Sequence, residues 1–320
     1  MRVITAQEID AVMAPRDLAE TMRRAFRTGC IAPQPHHETI ERPDGEATAS
    51  LVIMPSWNDF KAQGSTDKGF IGTKISSVIP ENRRKNLPTV MGVYLLQSGK
   101  TGEALAVLDG RALTLWRAAA TSALASSYLS REDSKRLLMI GAGGLAPLLI
   151  AAHCAMRPIE EVLIWNRTTA TAASLAKRVK LSGVNIHATD NLQGAVHGAD
   201  IISCATLSTS PLVLGEWLSE GCHLDLVGAN LPHMRECDDR AVQDCRLFVD
   251  SYADAFTRAG DIIKPLENNL IARSDVAADL SELCRGTKAG RRFYAQKTLF
   301  KSVGTALEDL AAASHVFMRT

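Results

Sequence analysis

The sequence carries almost no net charge: 36 Lys and Arg against 35 Asp and Glu leave +1 over 320 residues. A balance that even gives no electrostatic footprint for nucleic acid or an anionic membrane surface, so neither is expected as a partner. Apolar runs able to cross a bilayer are also missing, since polar residues interrupt every stretch before it reaches about 18 residues. The opening Met1-Arg2-Val3-Ile4-Thr5-Ala6 lacks the pattern of a secretory signal, and the expected location is cytoplasmic. The seven cysteines (30, 154, 204, 222, 237, 245 and 284) include no C-x-x-C pair and no metal-ligand spacing, which points to reduced, structural thiols and no metal. Internal repeats and low-complexity tracts are absent. With 46% hydrophobic and 22% charged residues, what remains is a soluble globular chain long enough for two domains.

Two patterns succeed one another along it. Residues 6 to 28 read as helix, with Pro15 in the first turn of a second helix that turns Leu18, Met22 and Phe26 inward. Short β-rich segments follow at 37–42, 47–54, 69–78, 89–97 and 104–108, separated by turn signals such as Pro43-Asp44-Gly45 and Ser98-Gly99-Lys100-Thr101-Gly102, which predicts a mostly antiparallel sheet. An alanine-rich helix over 112–129 reads as a hinge helix between domains. From Lys135 onward strands (162–165, 185–188, 201–204, 222–227 and 247–249) alternate with helices, the signature of a parallel, doubly wound sheet. A last helix, about 302–315, is expected to return to the first domain.

The first strand of the alternating part, Leu137-Leu138-Met139-Ile140, runs into Gly141-Ala142-Gly143-Gly144-Leu145-Ala146 and a helix, and the next strand ends in Asn166-Arg167-Thr168. This order is that of a dinucleotide-binding βαβ unit. Gly141 permits the tight turn, Gly143 lets the backbone approach a pyrophosphate at the helix N-terminus, and Ala146 keeps helix and strand close. The alternative is an ordinary strand-to-helix turn. At the tip of the second strand an acidic residue is lacking. A carboxylate there would accept from the ribose 2′-hydroxyl of NAD, whereas the guanidinium and neutral donors of Asn166, Arg167 and Thr168 suit a 2′-phosphate. NADPH is therefore the expected cofactor, with NADH as the alternative; Arg167 as a solvated helix-start residue is the plainer reading.

Lys74 lies mid-strand between Ile71, Thr73 and Ile75 on one face and shares the other with Gly72 and Ser76, so it sits on a solvated face or points into a polar cleft. Arg117, in line with Leu113 and Thr121 on the alanine-rich helix, interrupts a run of small and apolar residues and needs a partner. Asp109 is one candidate, and the carboxylate of a substrate is another. Gly228-Ala229-Asn230-Leu231-Pro232 falls at the carboxyl end of a parallel strand, where open α/β sheets bind ligands, and Thr206 and Ser208 border the same crevice. Both turns also read as plain loop chemistry.

Lys74, Asp109-Gly110-Arg111, Arg117 to Ser122, the glycine turn, Trp165-Asn166-Arg167-Thr168, Gly228 to Pro232 and Phe300-Lys301-Ser302-Val303-Gly304 together resemble the ornithine cyclodeaminase and mu-crystallin family, in the family's order and over nearly the whole chain. The resemblance implies a homodimer whose protomer has a substrate-binding and dimerisation domain (1–125 with 303–320) and a Rossmann domain (126–302). It implies that Lys74 and Arg117 hold a substrate carboxylate, and that Val303 and Gly304 approach the nicotinamide. Cofactor contacts would come from Thr121, 141–146, 166–168, Thr206, Ser208, Val227, Gly228 and Val303. His37, Asn230 and Gly304 would border the substrate.

Two departures steer the activity. Where the cyclodeaminases carry an aspartate this chain has Asn230, and an amide cannot take a proton near neutral pH. The mu-crystallin branch, which includes ketimine reductases, also lacks that aspartate and is similar at Trp165 to Thr168. His36-His37 stand where many relatives have an arginine. The expected activity is reduction of a cyclic imine carboxylate, Δ1-pyrroline-2-carboxylate or Δ1-piperideine-2-carboxylate, to L-proline or L-pipecolate. Asp309, His36 and His37 are the candidate proton sources. Ornithine or lysine cyclodeaminase, alanine dehydrogenase and a non-catalytic, crystallin-like nucleotide-binding protein are the alternatives.

Overall fold

The computed structural model describes residues 1–43, 46–61, 69–85 and 87–320, so Asp44-Gly45 of the expected turn lies outside the described residues. The chain divides into two units, Met1–Arg117 with Ala306–Thr320, and Ala118–Thr305.

The first unit begins with β1 (Arg2–Ile4), α1 (Ala6–Val12) and α2 (Pro15–Thr28). Thr5 and Glu8 cap α1 reciprocally, each side chain accepting from the other's backbone N–H, and Pro15 opens α2 where its missing N–H costs nothing. Leu18, Met22 and Phe26 are buried along one stripe of α2. Next come β2 (His36–Ile40), β3 (Ala49–Trp57), β4 (Phe70–Val78), β5 (Val90–Ser98) and β6 (Ala104–Asp109). They form a six-stranded sheet in the order β1-β6-β5-β4-β3-β2, antiparallel except where β1 pairs with β6. β1 is a strand that the sequence pattern did not announce.

Register sorts this sheet's two faces. Tyr94 pairs with Lys74 and with Leu108, and Gly72 pairs with Ser56 and Leu96, so these side chains share one face, and it is the buried one. Ile53, Ile75 and Val93 are in register on the opposite face. That face stays open: Ile75 is 36%, Val93 41% and Met91 50% exposed.

The helix α3 (Gly110–Leu129) carries the chain into the second unit, and Asp109 caps its start by accepting from Ala112 N–H. β7 (Arg136–Ile140), α4 (Ala146–Met156), β8 (Glu161–Trp165), α5 (Thr169–Arg178), β9 (Asn185–Ala188), α6 (Leu192–Gly198) and β10 (Ile201–Cys204) follow. Then come β11 (His223–Leu226), α7 (Asp239–Asp244), β12 (Arg246–Val249), α8 (Tyr252–Arg258) and α9 (Gly260–Glu267). β13 (Val276–Asp279), α10 (Leu280–Arg285) and β14 (Thr298–Lys301) complete the unit. All eight strands are parallel, in the order β13-β12-β14-β11-β10-β7-β8-β9, and an α-helix intervenes between successive strands except between β10 and β11, which a short 3-10 turn (Gly215–Trp217) separates: a doubly wound α/β fold. From β7 the chain winds outward through β8 and β9, then returns to β10 on the other side. The boundary between β7 and β10 is the switch point at which such sheets bind ligands beyond their carboxyl ends. The chain ends with α11 (Ala306–Phe317), which packs in the first unit against α2, β3, β4 and β5.

Candidate active site

In the first unit the buried sheet face and two helices bring four charges together. Lys74 Nζ donates to Thr114 Oγ1 (2.7 Å) and to both oxygens of Asp309 (3.2 Å each). Arg117 Nη1 donates to Glu308 Oε2 (2.7 Å) and its Nε to Asp309 Oδ1 (3.2 Å). The partner of Arg117 is thus the acidic pair at the start of α11. Asp109, the internal candidate, is occupied in capping α3. Lys74 points into the protein, and the solvated-face reading fails because Gly72, Lys74 and Ser76 form the buried side of β4. Gly72 matters to this arrangement: a Cβ there would lie 2.0 Å from the Tyr94 hydroxyl, whose ring lies across the strand beside Lys74. Burial pulls the Lys74 pKa below the usual lysine value, with Arg117 adding to the effect and Asp309 opposing it. His37 is exposed on the edge strand β2 and shares Lys74's face two strands away, while exposed His36 pairs with Glu38 at 2.8 Å.

In the second unit the predicted turns gather at the carboxyl edge of the parallel sheet. Gly141 adopts φ +103°, and a Cβ there would meet Ala205 O at 2.6 Å, so only glycine fits between β7 and the end of β10. Gly143 and Gly144 are exposed, and a Cβ at Gly143 would meet nothing within 4 Å. Ala146 N–H donates to Gly143 O (3.2 Å), Leu148 N–H donates to Leu145 O (3.1 Å) and Pro147 has no N–H, so the donors left in this open cradle are those of the turn itself, the N–H groups of Gly143, Gly144 and Leu145, which make no hydrogen bond among the described residues. This is the fit a pyrophosphate requires. Ala142 and Ala146 are buried beneath it. At the end of β8, Asn166 Nδ2 donates to Thr168 O (3.1 Å), and Arg167 is exposed with no ion pair among the described residues. The Thr121 hydroxyl, on α3, is buried without a hydrogen-bond partner among the described residues.

Three further turns are held from below by Glu236, Asp250, Arg258 and Asp261, which sequence reasoning missed, and by Lys301, noted there only within the Phe300 to Gly304 motif. Glu236 Oε1 accepts from Thr206 N–H (2.7 Å) and Oγ1 (2.8 Å). Lys301 Nζ donates to Gly228 O (2.7 Å) and pairs with Asp261 (3.1 Å). Asp250 Oδ2 accepts from Ser302 Oγ (2.9 Å) and from the N–H groups of Val303 and Gly304 (2.7 Å each), while Arg258 donates to both carbonyls of that dipeptide. Burial pushes the Glu236 carboxyl up to about 7, against the pull of Lys301. Ser208 is half-buried and Asn230 exposed, and Val227 and Gly228 N–H donate to Cys204 O. No cluster of three or more potential metal ligands occurs among the described residues, and no described helix is long and apolar enough to cross a membrane.

Residues 2–320 match the sequence profile of the ornithine cyclodeaminase/mu-crystallin family. The chain is 32% identical over 319 residues to a Δ1-pyrroline-2-carboxylate reductase of Colwellia psychrerythraea, covering 99% of this chain and 98% of that protein. The solved structure of Thermococcus litoralis Δ1-pyrroline-2-carboxylate reductase in complex with NADH and L-proline superposes with a TM-score of 0.90 at 31% identity, covering 100% and 97%. An archaeal alanine dehydrogenase dimer with bound NAD superposes with a TM-score of 0.88 at 26% identity, covering 99% and 95%.

Proposed function

Because the chain belongs to the ornithine cyclodeaminase/mu-crystallin family, we propose that it is a nicotinamide-dependent reductase that converts a cyclic imine carboxylate, Δ1-pyrroline-2-carboxylate or its six-membered homologue, into L-proline or L-pipecolate. The observation that carries this reading is the buried quartet Lys74, Arg117, Glu308 and Asp309. Two cations and two carboxylates match a zwitterion. The substrate carboxylate displaces the internal acids as partner of Lys74 and Arg117, and the carboxylates of Glu308 and Asp309 then favour the protonated imine nitrogen, the better electron acceptor. Both Asp309 oxygens accept hydrogen bonds, so the proton-rich neighbour in this cluster is the Lys74 ammonium. Asp309 orients that ammonium and the protonated nitrogen. Dinucleotide binding falls to Gly141–Ala146, Asn166–Thr168, Thr121, Thr206, Ser208, Val227, Gly228 and Val303, with Gly304, Asn230 and His37 bordering the substrate. When bound, the reduced nicotinamide supplies the hydride for the C=N carbon; the protein supplies orientation and charge.

NADPH is the preferred form in this reading, because Arg167, exposed and without an ion pair among the described residues, stands where an NAD-selective carboxylate would be. Side-by-side assays of NADPH and NADH oxidation with the two cyclic imines, and with pyruvate plus ammonia, test the activity. Turnover of an imine supports it. Turnover of pyruvate plus ammonia alone would replace it with alanine dehydrogenation, the activity named for the archaeal dimer.

The ammonium of Lys74 is required in the protonated state, and burial brings its loss to a lower pH than for a free lysine. The kcat/KM for the imine is therefore expected to fall on the alkaline side below pH 10.5. In Lys74→Arg, whose guanidinium stays charged, that limb disappears even as the rate drops. An identical limb in the variant would remove Lys74 from the titration.

We read the homodimer as forming across the open sheet face. Ile53, Ile75, Met91 and Val93 form an apolar surface on the first unit that a second copy would cover. Val93→Glu together with Ile75→Asp should convert the dimer to a monomer in sedimentation; a variant that still sediments as a dimer would rule this face out.

A further inference from the structure

The trio Glu236, Asp261 and Lys301 is fully buried in the second unit, and the catalytic scheme above does not use it. Burying three ionisable groups is expensive, and apolar residues of similar volume often stabilise such a position as well or better, so stability alone does not account for them. Their contacts suggest another role. Glu236 takes both donors of Thr206 on one oxygen. Its other oxygen lies 3.9 Å from Lys301 Nζ. Lys301 in turn donates to the carbonyl of Gly228 and pairs with Asp261, whose Oδ1 accepts from the backbone N–H groups of Glu236 (2.8 Å) and Cys237 (3.2 Å). The two turns so held are pressed against each other: Ala229 N–H donates to Thr206 O (3.2 Å), and a Cβ on Gly228 would lie 2.1 Å from that same oxygen and 2.4 Å from Glu236 Oε1. Lys301 is also the residue immediately before the Ser302-Val303-Gly304 turn that Asp250 clamps. One buried ion cluster therefore underlies the turns that close the carboxyl ends of β10, β11 and β14.

We infer that Glu236 is a positioning residue for the dinucleotide: by fixing Thr206 directly, and Gly228 through Lys301, it holds the turns around the nicotinamide end of the crevice in the one arrangement that accepts the cofactor. This rests on the reading that the second unit binds a nicotinamide dinucleotide. The residue touches neither cofactor nor substrate. Its effect is expected in the affinity for the dinucleotide rather than in the chemical step.

The test is titration of the purified full chain with NADPH and with NADH, followed by nucleotide fluorescence, together with steady-state kinetics on the cyclic imine. Glu236→Ala leaves two Thr206 donors without their acceptor and Lys301 without one of its two anions. Its dinucleotide Kd is expected to rise about 30-fold. KM for the dinucleotide should rise in step, while kcat at saturation and KM for the imine change little. Glu236→Gln keeps an oxygen for both Thr206 donors and should recover most of the affinity, to within about 3-fold of the parent. Should the alanine variant fail to fold, Glu236→Asp, which keeps a carboxylate in the ion cluster but draws it back from the Thr206 donors, carries the test with an expected weakening of about 5-fold. Folded variants that bind both dinucleotides as tightly as the parent would overturn the inference. So would a loss confined to kcat. Absence of dinucleotide binding by the parent chain overturns instead the reading beneath it, and the inference with it.

Discussion

Arg117→Met is expected to lower kcat/KM for the cyclic imine about 1,000-fold, mainly through KM, while dinucleotide affinity survives. The magnitude follows from the geometry. Arg117 is buried, and its fork already engages Glu308 and Asp309 at 2.7 and 3.2 Å, so a substrate carboxylate entering this cluster meets a guanidinium that is fixed in place and poorly screened. Losing such a partner costs about 4 kcal/mol, equivalent to three decades. The same substitution breaks a buried ion pair with Glu308 and Asp309, which destabilises by about 3–5 kcal/mol. Stability and activity must therefore be separated. Arg117→Met combined with Glu308→Leu replaces both members of the Arg117–Glu308 pair with apolar side chains and should recover part of the melting temperature without recovering turnover. Unchanged imine kinetics in a folded Arg117→Met protein would take Arg117 out of the site.

The second large effect concerns the cofactor. Arg167→Asp should shift the ratio of kcat/KM for NADPH over NADH about 100-fold towards NADH, because a favourable phosphate contact is replaced by a like-charge repulsion, while a carboxylate now faces the 2′-hydroxyl. Arg167 is exposed and makes no ion pair among the described residues, so the melting temperature should not move. A variant with unaltered preference would show that the 2′ position is read elsewhere, and Thr168 at the start of α5 would be the next residue to replace.

Much of the framework was legible in residue patterns. Helical spacing placed Leu18, Met22 and Phe26 on the buried side of α2, and Gly141 to Ala146 marked the turn between β7 and α4 because glycine there answers a backbone demand. Strands at the heart of the parallel sheet were harder. β14 contains Lys301, a fully buried lysine that breaks the apolar run a central strand ordinarily shows, and β13 spans only Val276–Asp279. β1 has three residues, too few for alternation to register.

The candidate site divides in the same way. Arg117 announced itself as a charge among alanines, yet its partners lie 191 and 192 residues away on α11, and no local pattern links those positions. Two adjacent acids opening an otherwise apolar helix, Glu308-Asp309 before Leu310 to Ala313, were the available signal, and only Asp309 was drawn from it. On β4, alternation separated Lys74 from the isoleucines but could not tell which face was covered. Packing of α11 settles that. Glu236 and Asp261 were invisible for a further reason, and Lys301 was read only as part of the Phe300 to Gly304 motif: the meaning of all three arises from meeting beneath turns formed by other segments.

The central claim is that this chain delivers a hydride from a nicotinamide to the carbon beside an imine's carboxylate, and isotope transfer tests it most directly. Purified chain would be incubated with Δ1-pyrroline-2-carboxylate and dinucleotide deuterated at C4 of the reduced nicotinamide, on each face in turn, and the product examined by mass spectrometry and NMR. The account predicts L-proline carrying a single deuterium at Cα, from one face of the nicotinamide only. Formation of proline without the label, or tight dinucleotide binding with no proline at all, would contradict it.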